Sequence, residues 1–343
     1  MDVDTLRTEP VAKGLGNAYQ LWTKGRCAMT WKRQASNGAL LALSLTYTAV
    51  GHPARAMENG ATQWPSGVQT VIPAILPAPG ETAYYNYTLY YHADSFKDGN
   101  GRDLVPGFDL SVIAESPRIV HTWKTKLGPL NLSSAVVLAG NYVKVEQTPL
   151  PGLHQEDSTF GLNFLYFTPL YLTYNTDSLH LEFGPSVFIP VGSYNQKDLA
   201  NPTVNYYAFQ QELSATYFPI KTLEFSTLGV IDFNAENPDT DYRSGAFFSI
   251  DWGVNWAPLA SIPNLFFGIG GYYLNQFTDD EINGVKVNPD GFRLKRAAVG
   301  PQLVYYFSSK SGIVVKYQRE FETENGPEGE RLWVQFVTPI RFH

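Results

Sequence analysis

The chain has 343 residues, of which 17% are charged and 14% aromatic, and it is short of charge beside the roughly 25% of ordinary soluble domains. Its first 56 residues hold seven Lys/Arg and three Asp/Glu. That leaves 18 basic against 29 acidic residues, a net −11, which argues against nucleic acid or an anionic membrane surface as partner. The single cysteine, Cys27, excludes a disulfide scaffold and a cysteine-rich zinc site, and no apolar run reaches the roughly 18 residues of a membrane helix.

Residues 29–56 have the parts of a secretory signal. Lys32 and Arg33 form a basic start, Gly38 to Gly51 an apolar stretch, and Ala54-Arg55-Ala56 an A-x-A cleavage site. Residues 1–56 are therefore read as a leader, either starting truly at Met29 or unusually long. Residues 57–80 follow as a segment with four prolines and an apolar cluster of Val71, Ile72, Ile75 and Leu76. Proline at this density opposes helix and central strand alike. We expect this segment to plug or line a barrel lumen, with Trp64, Ile72, Ile75, Pro77 and Pro79 as plug or gate candidates; a disordered tether is the alternative.

From Glu81 the chain alternates apolar and polar residues. This predicts twelve strands near 82–93, 108–123, 129–146, 159–170, 179–191, 204–217, 223–233, 244–256, 265–275, 292–307, 312–321 and 331–342. Connections after the odd strands are mostly long and polar, among them 148–157 and ETENGPEGE (322–330). Those after the even strands are mostly short. A large β-sandwich shares the composition but gives no reason for this bias, which is the layout of an outer-membrane barrel. The expectation is an all-β, transmembrane, antiparallel up-and-down barrel over 81–343. The last strand would close against the first, removing both edges, with Phe342 at the periplasmic interface. Trp252 and Trp256, Tyr217 and Phe218, and Tyr305 and Phe307 collect near short-turn ends, where interfacial aromatics belong.

The apolar faces include Leu130, Leu132, Val136 and Leu138; Phe160, Leu162, Phe164 and Tyr166; Leu179, Leu181, Phe183, Val187 and Ile189; and Ile313, Val315 and Tyr317. If these meet lipid, the charged alternates face the lumen. The lumen candidates are Asp109, Glu115, Arg118, Glu182, Glu212, Glu224, Arg296, Lys316 and Glu320, with Asp232 and Asp251. They set selectivity in a polar passage, or they are an ion-paired filling of a closed barrel.

Catalytic signals are weak. No G-x-S-x-G, H-E-x-x-H, P-loop or G-x-G-x-x-G is present, and His92, His121, His154 and His180 are scattered. The reading is of no enzyme, no metal and no cofactor.

Several stretches resemble the outer-membrane family named for the meta-pathway of phenol degradation. They are GVQTVIPAILPAPG (67–80), YNQKDLANPTVNYYAF (194–209), NPDTDYRSG (237–245), GIGGYYLNQFTDDEING (268–284) and REFETENGPEGERLWVQFVTP (319–339). NPDTDYRSG, with Asp239, Asp241, Tyr242 and Arg243, is among the more specific. The resemblance implies a transporter of hydrophobic aromatic compounds and supplies no catalytic residues. The expectation is passive uptake of a small hydrophobic or aromatic solute across the outer membrane of a Gram-negative bacterium. Lipid and the barrel-assembly machinery are the other partners. A barrel enzyme acting on lipids or esters, and a structural barrel with a filled lumen, are the alternatives.

Overall fold

The structure, a computed structural model, describes residues 57–340. The leader, its cleavage motif, Cys27 and Phe342 lie outside the described residues. A four-residue helix, α1 (Met57–Gly60), is followed by β1 (Thr82–Lys97), β2 (Asp109–Leu127), β3 (Leu130–Leu150), β4 (Leu153–Asn175), β5 (Leu179–Pro190), β6 (Ala208–Ile220) and β7 (Leu223–Asn234). The two-residue strands β8 (Glu236–Asn237) and β9 (Tyr242–Arg243) precede β10 (Phe247–Trp256) and β11 (Leu265–Gln276). After β12 (Glu281–Ile282) and β13 (Val285–Lys286) come β14 (Lys295–Ser308), β15 (Ser311–Glu324) and β16 (Gly326–Ile340).

The twelve long strands form one closed antiparallel barrel, and β8, β9, β12 and β13 form a small sheet in the loops. Closure is made by β1 and β16, in register from Thr82–Ile340 to Lys97–Gly326 with one irregularity between Ala93 and Ser95. On β16, Leu332, Val334 and Phe336 are exposed outward while Trp333 and Gln335 are buried. The alternation thus separates a lipid-facing wall from a lumenal one.

One end carries short turns, with only residues 128–129, 176–178, 221–222 and 309–310 in four of its connections. The other carries the long loops 98–108, 191–207, 235–246 and 277–294. Two expected loops are not loops. Strands β3 and β4 run on to a turn at 151–152, and β15 meets β16 across Asn325 alone. The polar residues there still pair as sheet, because Lys144 bridges Glu146 and Glu156 across the β3–β4 hairpin (2.7 and 2.9 Å). Asn325 takes a positive φ of 58°, a conformation asparagine tolerates in tight turns.

Two assignments of face are corrected. On β4, Phe160 and Leu162 point outward, but Phe164 and Tyr166 are buried inward. The β3–β4 register shifts between Leu138 and Gly140, and the inserted residue reverses the phase. Asp109 and Glu115 were expected in the lumen. They share parity with the exposed Ile113 and Ile119, whereas Arg118 and Val120 face inward. Strand β2 pairs with β3 without a shift from Asp109 to Thr122, so these two parities cannot share a face. Glu115 instead sits on the outer wall, held by Asn86 Nδ2 and Thr88 Oγ1 at 2.8 Å each. Replacing it should therefore not harm the barrel. Glu115→Leu is expected to leave the urea unfolding midpoint unchanged or raise stability by up to about 2 kcal/mol, since a charge on the lipid face is a net cost.

Candidate functional site

Residues 57–80 lie inside the barrel and traverse it from the loop end to the turn end. Met57 N donates to Asp280 among the loops (2.7 Å), and Gly80 N donates to Thr122 O beside the short turns (2.7 Å). Between these points the segment has little regular structure, so its backbone groups need partners from the wall. Gly67 N and Gln69 N donate to the two oxygens of Asp251 (2.7 and 2.9 Å). Ile72 N donates to Glu224 Oε1 and Ser226 Oγ (3.0 Å each). Lys316 Nζ and Gln335 Nε2 both donate to Val68 O (2.7 Å each), and Arg331 Nη1 donates to Ser66 O.

Two positions show how close the fit is. Gly67 has φ of 86°, and a Cβ there would lie 2.3 Å from Gln318 Oε1. Gly253 on β10 faces the segment, where a Cβ would lie 2.1 Å from Thr70 O. Ile72 also adopts a positive φ (39°), a cost for a β-branched residue that the Glu224 and Ser226 acceptors hold in place.

Space remains on one side of the segment. A cavity of about 300 Å³ lies at the turn end between Pro73–Ala78 and a wall including Tyr85 and Tyr306. A second, about 70 Å³, sits midway, walled by Trp64, Tyr87, Phe164, Tyr166, Tyr171 and Trp333. A third, about 220 Å³, lies towards the loops against Leu110, Val112 and Tyr194. Gln69, Tyr87 and Arg118 line both the first and second, while Pro65, Leu89, Ala114, Ser116 and Phe164 line both the second and third. The three form a file along the inner faces of β1 and β2.

Arg118 stands at the neck of that file. Its Nη1 and Nη2 donate to Tyr87 Oη (3.3 Å) and Tyr171 Oη (3.2 Å), and its Nε is buried without a hydrogen-bond partner. Glu212 Oε1 accepts from Tyr166, Tyr171 (3.0 Å) and Ser186 (3.0 Å). The middle cavity is thus an aromatic box with one guanidinium and one carboxylate at its wall.

A family model described as "Putative MetA-pathway of phenol degradation" matches residues 93–336. The chain belongs to this family. Its fold is similar to that of the COG4313 outer membrane channel from Pseudomonas putida F1, with TM-score 0.66, 18% identity, 81% of this chain covered and 100% of that one. Weaker likenesses are to KdgM porin (TM-score 0.37, 11% identity, covering 76% of this chain and 99% of that one) and to the β domain of the Bordetella autotransporter BrkA (0.46, 10%, 76% and 100%). No curated protein matches the sequence.

In this family member Arg118, Glu182, Glu212, Glu224, Asp232, Asp251, Arg296, Lys316 and Glu320 are all buried on the inner wall. They fall into separate groups. Glu320 lies between Arg331 (3.1 Å) and Arg296 (3.5 Å), and Lys316 and Asp251 hold the lumenal segment. Trp64 is buried, Ile72, Ile75 and Pro77 line the turn-end cavity or its approach, and Pro79 is exposed at the exit. Of Asp239, Asp241, Tyr242 and Arg243 in the loop motif, only Tyr242 is buried. Asp239 accepts from Asn205 (2.9 Å), Asp241 turns the chain with φ of 53°, and Arg243 pairs with Glu281.

Sequence reasoning missed the lumenal tyrosines, Arg331 and Asp280. On β1 both faces carry tyrosine, with Tyr87 and Tyr91 inside and Tyr90 outside, so alternation gave no contrast there.

The histidines are apart. His92 is 3.4 Å from Ser111 Oγ and 3.8 Å from Asp109, on the outer wall. These are the residue types of a hydrolase, but the bond to the hydroxyl is long and the flanking amides belong to the β1–β2 ladder, so no oxyanion donors converge. Glu146, His154 and Glu156 could reach one cation, but the Lys144 ammonium already lies between the two carboxylates.

Proposed function

We propose that the protein is a passive outer-membrane channel for small hydrophobic or aromatic compounds. Its secretory leader comprises residues 1–56, residues 57–80 act as lumenal plug or gate, and residues 81–343 are inserted by the barrel-assembly machinery. The file of three cavities beside the lumenal segment carries this reading. It runs from loop end to turn end, and its narrow middle is walled by aromatic rings. Flat apolar solutes stack on such walls, and a polar substituent has Arg118 or Glu212 to bind. The COG4313 channel supports the reading through its likeness in fold.

Protein-dependent flux of toluene, phenol and benzoate, taken as the excess over protein-free liposomes because neutral aromatics also cross a bare bilayer, tests it against that of a small sugar. The aromatic compounds are expected to enter faster than the sugar, and equal rates for all four solutes, or none, would sink the proposal. Arg118 gives a second arm. Arg118→Gln removes the guanidinium at the neck, worth about 1.5–3 kcal/mol per charge-assisted hydrogen bond, so the ratio of benzoate to toluene flux should fall roughly tenfold or more. Using a ratio within one preparation removes any dependence on the amount of folded protein.

A further inference from the structure

Asp280 lies in the connection between β11 and β12, at the loop end of the barrel, and is fully buried. Its Oδ1 accepts from Gly245 N (2.6 Å) and Gln276 Nε2 (2.7 Å), and its Oδ2 from Tyr242 Oη (2.5 Å) and Met57 N (2.7 Å). All four donors are neutral if Met57 N is a peptide nitrogen. Among the described residues no ion pair reaches Asp280. The nearby cations Lys286 and Arg293 are taken by Asp279 (3.1 and 2.7 Å).

A second carboxylate at this end of the barrel acts on Tyr242, as Asp280 does. Glu58 accepts from Tyr194 (2.9 Å) and Asn237 (2.7 Å), and Asp239 lies close by. A buried carboxylate is stable when a positive charge faces it, and a set of neutral donors only partly replaces that charge. Burial accordingly pushes the Asp280 carboxyl up to about 6.

We propose that the pocket around Asp280 is a receptor for a free α-ammonium group, that of Met57 once the leader has been removed. This rests on reading Ala54-Arg55-Ala56 as the cleavage site, which makes Met57 the first residue of the mature chain. Cleavage there turns one neutral N–H donor into a cation with three donors, already 2.7 Å from the carboxylate. It also removes a backbone strain. Met57 has φ of 40°, disfavoured for a residue with a Cβ, and a chain that begins at Met57 has no such torsion. The ion pair fixes the outer end of the lumenal segment to the loops, and it forms only after processing.

The protein purified from outer membranes is subjected to N-terminal sequencing and intact mass measurement. It is then acylated with N-hydroxysuccinimidyl acetate at pH 7 in detergent, and labelling of the terminal peptide is followed by mass spectrometry. We expect a chain starting at Met57 whose amine reacts at least tenfold more slowly than in urea-unfolded protein. Asp280→Asn should raise the rate towards the unfolded value. A glycine inserted between residues 56 and 57 should do the same without touching Asp280, which guards against a variant that fails to fold. A mature chain starting elsewhere would overturn the proposal together with the leader reading. A chain starting at Met57 that labels as fast folded as unfolded would overturn the ion pair alone.

Discussion

Liposomes carrying the barrel without residues 58–76 are expected to swell in a small sugar at least about tenfold faster than liposomes carrying the full chain, because twelve strands enclose more than the eight that side chains alone fill. The deleted residues supply the atoms that occupy the lumen. Asp251, Glu224 and Lys316 now spend their hydrogen bonds on the backbone of this segment. Without it they face one another across water, which can satisfy them. Met57 is kept so that the residue following the A-x-A motif is unchanged. Heat-modifiable migration on a gel establishes that the shortened barrel is folded. If the folded, shortened barrel swells no faster, the wall side chains fill the lumen by themselves. The reading of a structural barrel would then replace that of a channel.

Glu320→Ala should cost about 3–5 kcal/mol in urea unfolding from detergent, the range for removing one partner of a buried ion pair. Glu320 sits between two guanidinium groups, Arg331 at 3.1 Å and Arg296 at 3.5 Å. It also accepts from Tyr91 (3.0 Å), Tyr272 (2.5 Å) and Gly329 N (2.6 Å). Arg296 is already short of acceptors, its Nε and Nη2 having no hydrogen-bond partner. Without the carboxylate two buried positive charges would repel with nothing between them. Glu322→Ala, two residues along the same strand, is the control. Its pair with Lys295 is exposed, and such pairs are worth at most about 1 kcal/mol. A loss at Glu320 no larger than at Glu322 would mean that water reaches the Arg296–Arg331 site.

These two sites also mark the limit of what alternation can tell. The parity of β15 places Lys316, Gln318 and Glu320 opposite Val315 and Tyr317, and that is legible from the sequence alone. That Glu320 meets Arg331 and Arg296 is not. It depends on strand heights set by pairing, including a shift between Ala297 and Ala298 in the β14–β15 ladder. The same limit explains the errors of face. One inserted residue near Leu138 turned Phe164 and Tyr166 inward, and a carboxylate taken as lumenal because it is charged, Glu115, proved to be satisfied on the outer wall by Asn86 and Thr88.

The twelve strands, the closed antiparallel wall and most of the charged inner face are legible in the residue pattern alone. Side-chain alternation and turn chemistry act between neighbours in the chain, so a local reading recovers them. That Met57 lies against Asp280, that Arg118 stands between two cavities, and how residues 57–80 pass through the barrel emerge with the folded barrel. Those contacts join groups as far as 267 positions apart in the chain, and no local pattern encodes which distant group on the wall a backbone amide or carbonyl will find.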